Sequence, residues 1–445
     1  MIFTQFVDDA LGCASYLVGD ENASEAVVVD PAYAIEQYLE EAERRGIHIV
    51  RVIETHTHAD HLSGHGRLAL EHGTPISIHP AAGAEYPHDA LENGDEIALG
   101  EVVLRCIHTP GHRPEHCCLA VLDTSRAPEP WLVLTGDSLL VGDAARPDLA
   151  VEAREGAEGM FASLRRLVEL GDGVEVYPGH VAGSLCGKSM SSKGSTTIGF
   201  ERRFNPALTV DDVAAFVAET TSISTPRPPN MERIVELNRG PFLGAREATP
   251  EIPMPPEGAQ VVDVRPLEDF ARGHLEGALS VPVGGSRFST KAAFVLDAER
   301  PVVVAASDEK EAERALRGLH SVAVLDTPGY VLGGGAKTLG LVGLDELDAL
   351  LADGAELIDV RERDERDSGY IAGSRNIPYR MLALGDSDLP ADRPLVTICD
   401  SGPRAAIAAS MLAARGYDAR AVVAGGVPDW QAAGRPTVEF RRCGS

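Results

Sequence analysis

Short apolar runs recur along the chain and alternate with longer, charged stretches. In the first half, SYLVG, EAVVVD, RVIET, PISIH, VVLRCIHT, HCCLAVL, LVLTGD and VEVYPG read as strands, each stopped by a turn-forming or polar residue. Strands interleaved with helical stretches predict an α/β architecture, in which sites form on loops at strand ends. The second half repeats itself. AQVVDVRPLEDFARGHLEGALSVPV (259 to 283) resembles AELIDVRERDERDSGYIAGSRNIPY (355 to 379). Each copy predicts a buried strand ending in Asp-Val-Arg, a charged helix, a glycine turn and a short strand ending at proline. Further on, RPVVVAASDEKEAERAL parallels RPLVTICDSGPRAAIAASML, a strand, a turn and a helix in both. A period of roughly 95 residues is too long for a solenoid and suits two tandem domains with parallel strands. The run GGGAK (333 to 337) marks their junction. The proline-rich stretch TSISTPRPPNMERIVELNRGPFLGAREATPEIPMPPEG lacks regular periodicity and reads as a domain tail plus linker, with a boundary near residue 245. Three domains follow: 1–245, 246–337 and 338–445.

Composition narrows the classes of partner. The formal net charge of the 445 residues is −28, which repels nucleic acid and anionic lipid. No apolar run approaches the ~20 residues a membrane helix needs. The N-terminus shows no basic leader before an apolar core, so a cytoplasmic location is expected. Lys188, Lys193, Arg202 and Arg203 form a basic cluster that reads either as an ordinary loop or as a contact for an anionic substrate. Seven cysteines at irregular spacing, without a CxxC pair, make neither a disulfide framework nor a zinc ribbon.

Twelve of the fourteen histidines precede residue 200, so metal chemistry belongs to the first half. The segment THTHADHLSGH supplies His56, His58, Asp60 and His61 directly after a strand. Three other strand–turn segments, TPGH, LTGD and VYPGH, end in His112, Asp137 and His180. Imidazoles joined with carboxylates suit Zn, Fe or Mn and argue against a thiolate site. His65, His108 and His116 are candidates for groups behind the ligands. His48, His72, His79 and His88 read as surface or loop residues.

This ligand order resembles the metallo-β-lactamase superfamily, which implies an αββα sandwich over the first ~240 residues. Two subfamilies compete: glyoxalase II-like thiolester hydrolases with two zinc ions, and persulfide dioxygenases with a single Fe(II). The latter resemblance implies His56, His112 and Asp137 as iron ligands. His58, Asp60, His61 and His180 then stay outside the iron or serve a second metal. TGDSLLVGDAARPDL resembles the dioxygenase segment after the metal aspartate, with Arg146 and Asp148 at its Arg-x-Asp. GHVAGSLCGKSMSSKGSTTIGFERRFNPAL resembles the subgroup fused to sulfurtransferase domains, which places Cys186 near the metal cleft. Arg146, Cys186 and Lys188 are the candidate substrate contacts.

The second chemical centre is a loop. Cys399-Asp400-Ser401-Gly402-Pro403-Arg404 lies between the strand LVTI and the helix AAIAASMLAARG. A nucleophile there sits at a helix N-terminus, where backbone N–H groups and a fixed cation favour negative charge. The loop resembles that of rhodaneses. In phosphatases of related fold it is one residue longer. The first repeat aligns Ala306 with Cys399 and Glu311 with Arg404, so it resembles an inactive rhodanese domain serving structure, docking or homo-oligomer assembly. The resemblances together imply oxidation of a low-molecular-weight thiol persulfide by O2 to sulfite at one Fe(II), coupled to thiosulfate or persulfide sulfur transfer through Cys399. The alternative is a two-zinc thiolester hydrolase with accessory rhodanese domains.

Overall fold

The computed structural model describes residues 1–147, 152–181, 191, 193–221, 227–385 and 388–438. They divide into two compact units, Met1–Glu247 with His320–Ala323, and Ala248–Leu319 with Val324–Ser445.

In the first unit, β1 (Ile2–Asp8), β2 (Cys13–Asp20), β3 (Glu25–Val29), β4 (His48–Ile53), β5 (Ile76–Ile78) and β6 (Asp89–Ala90) form one sheet in that order. β1 to β3 are antiparallel, whereas β3 to β6 pair in parallel. A second sheet contains β7 (Glu96–Leu99), β8 (Val102–His108), β9 (Cys117–Asp123) and β10 (Leu132–Gly136). The hairpin β11 (Leu139–Leu140) and β12 (Asp143–Ala144) leads away from it, and β13 (Glu175–Pro178) and β14 (Thr196–Thr197) return, giving the order β14-β13-β10-β9-β8-β7.

The alternation of side chains along these strands builds four layers. Tyr16, Val18, Val27 and Val29 from the first sheet meet Leu104, Cys117, Leu119 and Val121 from the second in a shared core. Their neighbours point the other way. Leu17, Val28 and Val52 pack under Tyr38, Ala42 and Leu68 of the helices Glu36–Arg45 and His65–His72. Cys118, Ala120 and Leu122 pack under Met160, Leu164 and Leu167 of the helix Ala153–Val168. Because both faces are covered, these strands read in the sequence as continuous apolar runs rather than alternating ones. The result is the αββα sandwich. β1 and the short strands β6, β7, β11, β12 and β14 are additions to the eight strands the apolar runs predict.

The second unit holds two sheets. One has the order β16-β15-β17-β18, from β15 (Gln260–Asp263), β16 (Leu279–Ser280), β17 (Val302–Ala306) and β18 (Tyr330–Leu332). The other has the order β19-β23-β22-β20-β21, from β19 (Gly340–Val342), β20 (Glu356–Asp359), β21 (Arg375–Asn376), β22 (Leu395–Ile398) and β23 (Ala419–Val422). Every pairing is parallel. The repeated Asp-Val-Arg has a physical purpose. Arg265 Nη2 donates to Asp263 Oδ2 (2.6 Å) and to Gly273 O (2.8 Å), while Arg361 Nη2 donates to Asp359 Oδ2 (2.8 Å) and Gly369 O (2.8 Å). In each copy the buried pair ties the end of the first strand to the turn that follows the charged helix.

The described part of the proline-rich stretch is not all loop. It contains the helix Met231–Arg239, whose Ile234 and Asn238 are buried. Among the described residues no helix is long and apolar enough to cross a membrane.

Leu119 is fully buried between the two sheets of the first unit. Leu119→Ala is expected to lower that unit's unfolding free energy by ~2–5 kcal/mol in chemical denaturation, the usual loss for a large-to-small change in a packed core.

Candidate metal centre

The sandwich places its polar loops at one end of the strands. β3 leads into Asp30, β4 into Glu54, Thr55 and His56, and β8 into His112. β10 leads into Asp137, and β13 into His180. Two glycines let these loops converge. Gly136 has φ +44, and a Cβ there would sit 2.7 Å from both His116 Nε2 and Thr55 Oγ1. A Cβ at Gly179 would sit 2.9 Å from Asp137 Oδ1. The glycines of LTGD and YPGH are therefore part of the site's close packing.

His56, His112 and Asp137, all buried, bring one donor atom each within 4.8 Å of one another. Their outer hydrogen bonds define which atoms face inward. The Thr55 hydroxyl donates to Asp30 Oδ2 (2.8 Å), so its oxygen accepts from His56 Nδ1 (2.9 Å). Arg146 O, which can only accept, takes a hydrogen bond from His112 Nδ1 (2.9 Å). Both rings thus carry their proton on Nδ1 and turn a bare Nε2 toward Asp137 Oδ2, at 3.9 Å for His56 and 3.5 Å for His112. Asp137 Oδ1 faces His180 Nδ1 at 2.6 Å, while Oδ2 is buried with no hydrogen-bond partner among the described residues. Two imidazole lone pairs and an orphaned carboxylate oxygen are the donor set a divalent transition metal takes.

Electrostatics agree with that role. Burial holds the His56 and His112 imidazoles below their ordinary pKa, with His58 adding to the effect at His56. For Asp137 burial acts upward, but the charge and hydrogen bond of His180, then the charge of His112, outweigh it and keep the carboxyl ionised. His116, pushed down to about 3 by burial, is neutral. Its Nε2 accepts from the Asp137 backbone N–H (2.9 Å), and its Nδ1 contacts Thr109 Oγ1 (2.8 Å). His116 thereby fixes the loop carrying the carboxylate.

The remaining signature residues do different work. His58 Nε2 lies 3.3 Å from Asp30 Oδ1 and 3.2 Å from Glu54 Oε2, and its Nδ1 is buried without a hydrogen-bond partner among the described residues. Burial disfavours its charge, but the two carboxylates prevail and raise its pKa well above the ordinary value. Asp60 lies 3.1 Å from His61 Nδ1 through Oδ1 and 2.8 Å from His180 Nε2 through Oδ2. Cys13 closes this group: its Sγ is 3.4 Å from Asp60 Oδ2, 3.5 Å from His61 Nδ1 and 3.2 Å from His180 Nε2. Burial, reinforced by Asp60, pushes the Cys13 thiol up. His65 Nδ1 meets Glu54 Oε1 at 3.1 Å, one step further out. His108 instead contacts Pro114 O and stacks on His79, away from the site. His48 and His72 are exposed, and His79 and His88 are half-exposed. Arg146 contributes its carbonyl. Cys186, Lys188 and Asp148 lie outside the described residues.

Sequence reasoning missed four contributors: Cys13, Asp30, Glu54 and Asn238. The first three sit on or beside strands and carry no motif. Asn238 comes from the stretch read as a domain tail plus linker, before the boundary near residue 245. Its Nδ2 donates to His58 O (3.0 Å) and His61 O (2.8 Å), and its Oδ1 accepts from Ser63 N (2.9 Å). One buried side chain thus pins the histidine-rich loop at three points.

In the second unit, Cys399 directly follows β22 and is fully buried. Gly402 N donates to its Sγ at 3.1 Å. Gly402, with φ +110, precedes the helix Pro403–Ala414. Arg404 is engaged on both sides. It forms a two-pronged pair with Glu365 (2.6 and 2.7 Å) and reaches Asp400 Oδ1 at 2.9 Å. Ser401 lies in the exposed turn of the loop. In the first repeat Ala306 ends β17, and Glu311 Oε2 accepts from Ser307 N (2.6 Å).

Asn238→Ala strands two carbonyls and one N–H at a buried position. Each orphaned group costs about 1–3 kcal/mol. The first unit's unfolding free energy is expected to drop by at least about 2 kcal/mol in denaturant titration, while Asn22→Ala at the surface leaves it unchanged.

Comparison with known proteins agrees with this architecture. The family model of the metallo-beta-lactamase superfamily matches residues 8–180, and that of the rhodanese-like domain matches 253–337 and 343–433. A bovine protein named persulfide dioxygenase ETHE1, mitochondrial, is 30% identical over 227 residues, covering 50% of this chain and 82% of its own. An uncharacterized protein of Mycobacterium tuberculosis is 30% identical over 234 residues, covering 47% of this chain and 98% of its own. The crystal structure of a metallo-beta-lactamase from Staphylococcus aureus aligns with TM-score 0.69 at 28% identity, covering 75% of this chain and 99% of that one. The chain therefore belongs to the metallo-beta-lactamase superfamily and carries two rhodanese-like domains after its lactamase-type domain.

Proposed function

We propose that the first domain, residues 1–245, is a mononuclear iron persulfide dioxygenase, and that the last, 338–445, is a sulfurtransferase acting through Cys399. The domain between them, 246–337, has no cysteine and carries Ala306 where the last has Cys399. The observation that carries the dioxygenase reading is the donor set of two bare imidazole nitrogens and one orphaned carboxylate oxygen, His56, His112 and Asp137. Relatives named persulfide dioxygenase, 30% identical over the same half, support it. An Fe(II) ion held by those three residues would supply the redox chemistry with O2. The overall reaction balances as RSSH + O2 + H2O giving RSH, sulfite and two protons. His180 would hold Asp137 Oδ1 so that Oδ2 alone serves the metal, and His116 would fix the loop. Asp60, His61 and His180, bonded to one another and to Cys13, would stay outside the iron.

Sulfite made in this way is a co-substrate for the second centre. Cys399 carrying sulfane sulfur would pass it to sulfite: the sulfite lone pair attacks the outer sulfur, the S–S bond breaks, and its electron pair returns to Cys399 as thiolate while thiosulfate leaves. The reverse reaction loads the cysteine. All five described cysteines are free thiols, which suits a cytoplasmic enzyme.

A second reading has its own observation. Cys13, Asp60 and His61 also bring donor atoms within 4.8 Å of one another, and His58 Nδ1 is unpartnered, so a second metal has ligands available. That reading is a two-zinc thiolester hydrolase. Metal analysis after anaerobic purification separates the two. The dioxygenase reading expects one iron per chain and persulfide-dependent O2 uptake; two zincs without O2 uptake would sink it.

Asp137→Ala is expected to remove the metal and lower O2 uptake by at least ~100-fold, in line with the loss of a ligand in a three-residue site. Sulfur transfer from thiosulfate should persist in that variant. Cys399→Ser should do the reverse, leaving O2 uptake with a small-thiol persulfide unchanged and abolishing sulfur transfer.

A further inference from the structure

The two rhodanese-like repeats lie in one compact unit, and the first one contacts the helix that follows the cysteine loop of the second. Ser280 N, in β16 of the first repeat, donates to Ser410 Oγ (3.0 Å) on the helix Pro403–Ala414 that begins at the cysteine loop. Beyond β16 the chain enters the helix Phe288–Val295, whose Phe294 ring packs edge-on against Tyr379 of the second repeat at 6.1 Å. The start of this helix carries two cations, Arg287 and Lys291. Lys291 N donates to Arg287 O (3.0 Å), and Lys291 Nζ donates to Ser286 O (2.7 Å). Among the described residues neither forms an ion pair.

The charges of the second repeat's loop act on the start of this helix. Burial lowers the Lys291 ammonium, the positive charges of Arg287 and Arg404 lower it further, and Cys399 and Asp400 act in opposition. Arg287 likewise acts on Tyr379, together with Arg404.

Local charge gives these cations a purpose. Arg404 is the loop's own cation, but it is paired with both Glu365 and Asp400. One guanidinium against two carboxylates leaves the loop net negative, a poor receptor for thiosulfate or sulfite, both dianions. Lys291 and Arg287 reverse that sign. The backbone adds an independent indication. Arg287 has φ 58 and ψ 39, the left-handed region that non-glycine residues rarely adopt. Glycine would fit there without strain, so an exposed arginine held in that conformation calls for a reason in its side chain.

We propose that the first repeat, which lacks a nucleophile, completes the sulfur-transfer site of the second: Arg287 and Lys291 bind the sulfonate end of a sulfur dianion whose sulfane sulfur faces Cys399. They are positioning residues, since the bonds made and broken remain those at Cys399. The proposal rests on the sulfurtransferase reading of Cys399 and deepens it.

Calorimetric titration of thiosulfate into the full-length Cys399→Ser chain tests it without turnover. Adding Lys291→Ala or Arg287→Gly in that background is expected to weaken binding about tenfold each, the scale of a lost charge-assisted hydrogen bond. Lys291→Arg should restore most of it. Arg287→Gly should keep or raise the melting temperature, because it relieves the backbone, so a loss of affinity there is not a folding defect. In the chain with Cys399 intact, the same changes should raise KM for thiosulfate about tenfold and leave kcat within about twofold. With a monoanionic persulfide donor KM should move less. Thiosulfate affinity unchanged within about twofold in both variants overturns the proposal. Affinity that depends on both cations in a chain that transfers no sulfur would uphold the binding of the dianion by Arg287 and Lys291 and refute the sulfurtransferase reading instead.

Discussion

A carboxylate oxygen sealed from water without a donor is strongly unfavourable, and among the described residues Asp137 Oδ2 has none. The surrounding structure is arranged to keep it that way. His180 takes the other oxygen, His116 takes the backbone N–H, and Gly136 and Gly179 let three loops close around the carboxyl. His56 and His112 are held by their Nδ1 protons, which leaves no N–H to satisfy Oδ2. The stability of the apoprotein is spent on a cluster of acceptors facing one another, and a cation resolves that conflict.

The density of histidines in THTHADHLSGH follows from the same constraint. Only His56 faces Asp137. His58 is the counter-charge for the buried pair Asp30 and Glu54, and His65 adds to Glu54. Glu54 would be pushed up by burial, but His58 and His65 hold it below the usual carboxylate range. His61 belongs to the Asp60, Cys13 and His180 group. Asp30 connects the networks, because it accepts from both the Thr55 backbone and its hydroxyl, and that hydroxyl orients His56. Four imidazoles in eleven residues therefore serve three separate charge balances around one cleft.

Much of this was legible in the sequence because it depends on short-range patterns. A strand buried on both faces shows as an apolar run, and a polar residue of the cleft at a strand end shows as a turn motif such as TPGH, LTGD or YPGH. The Asp-Val-Arg repeat showed because one clamp is used twice. What the sequence concealed depends on distance along the chain. Asn238 lies far from the loop it pins, in a segment whose prolines mask a nine-residue helix. Cys13 looks like any small buried thiol until Asp60, His61 and His180 surround it. Asp30 and Glu54 end strands as ordinary acidic residues do, and only their shared imidazole distinguishes them. The half-buried edge strand β1 carries too weak an apolar run to announce itself.

The two rhodanese-like repeats separate what a fold needs from what a site needs. Both keep the aspartate–arginine clamp with nearly equal geometry, so both keep the parallel sheet and the turn it anchors. They differ at the loop. Where the second repeat has Cys399 and Arg404, the first has Ala306 and Glu311, and Glu311 accepts the Ser307 N–H at the start of its own helix. A carboxylate at that helix N-terminus satisfies the dipole from within the chain and repels any anion that would otherwise settle there. The first repeat's loop thereby disfavours a bound anion, whereas Arg287 and Lys291, at the start of a helix whose Phe294 packs against Tyr379 of the second repeat, are left without an ion pair among the described residues. Loss of a nucleophile therefore does not make a domain inert: a scaffold whose own anion site is filled by a glutamate can still present cations to its neighbour's.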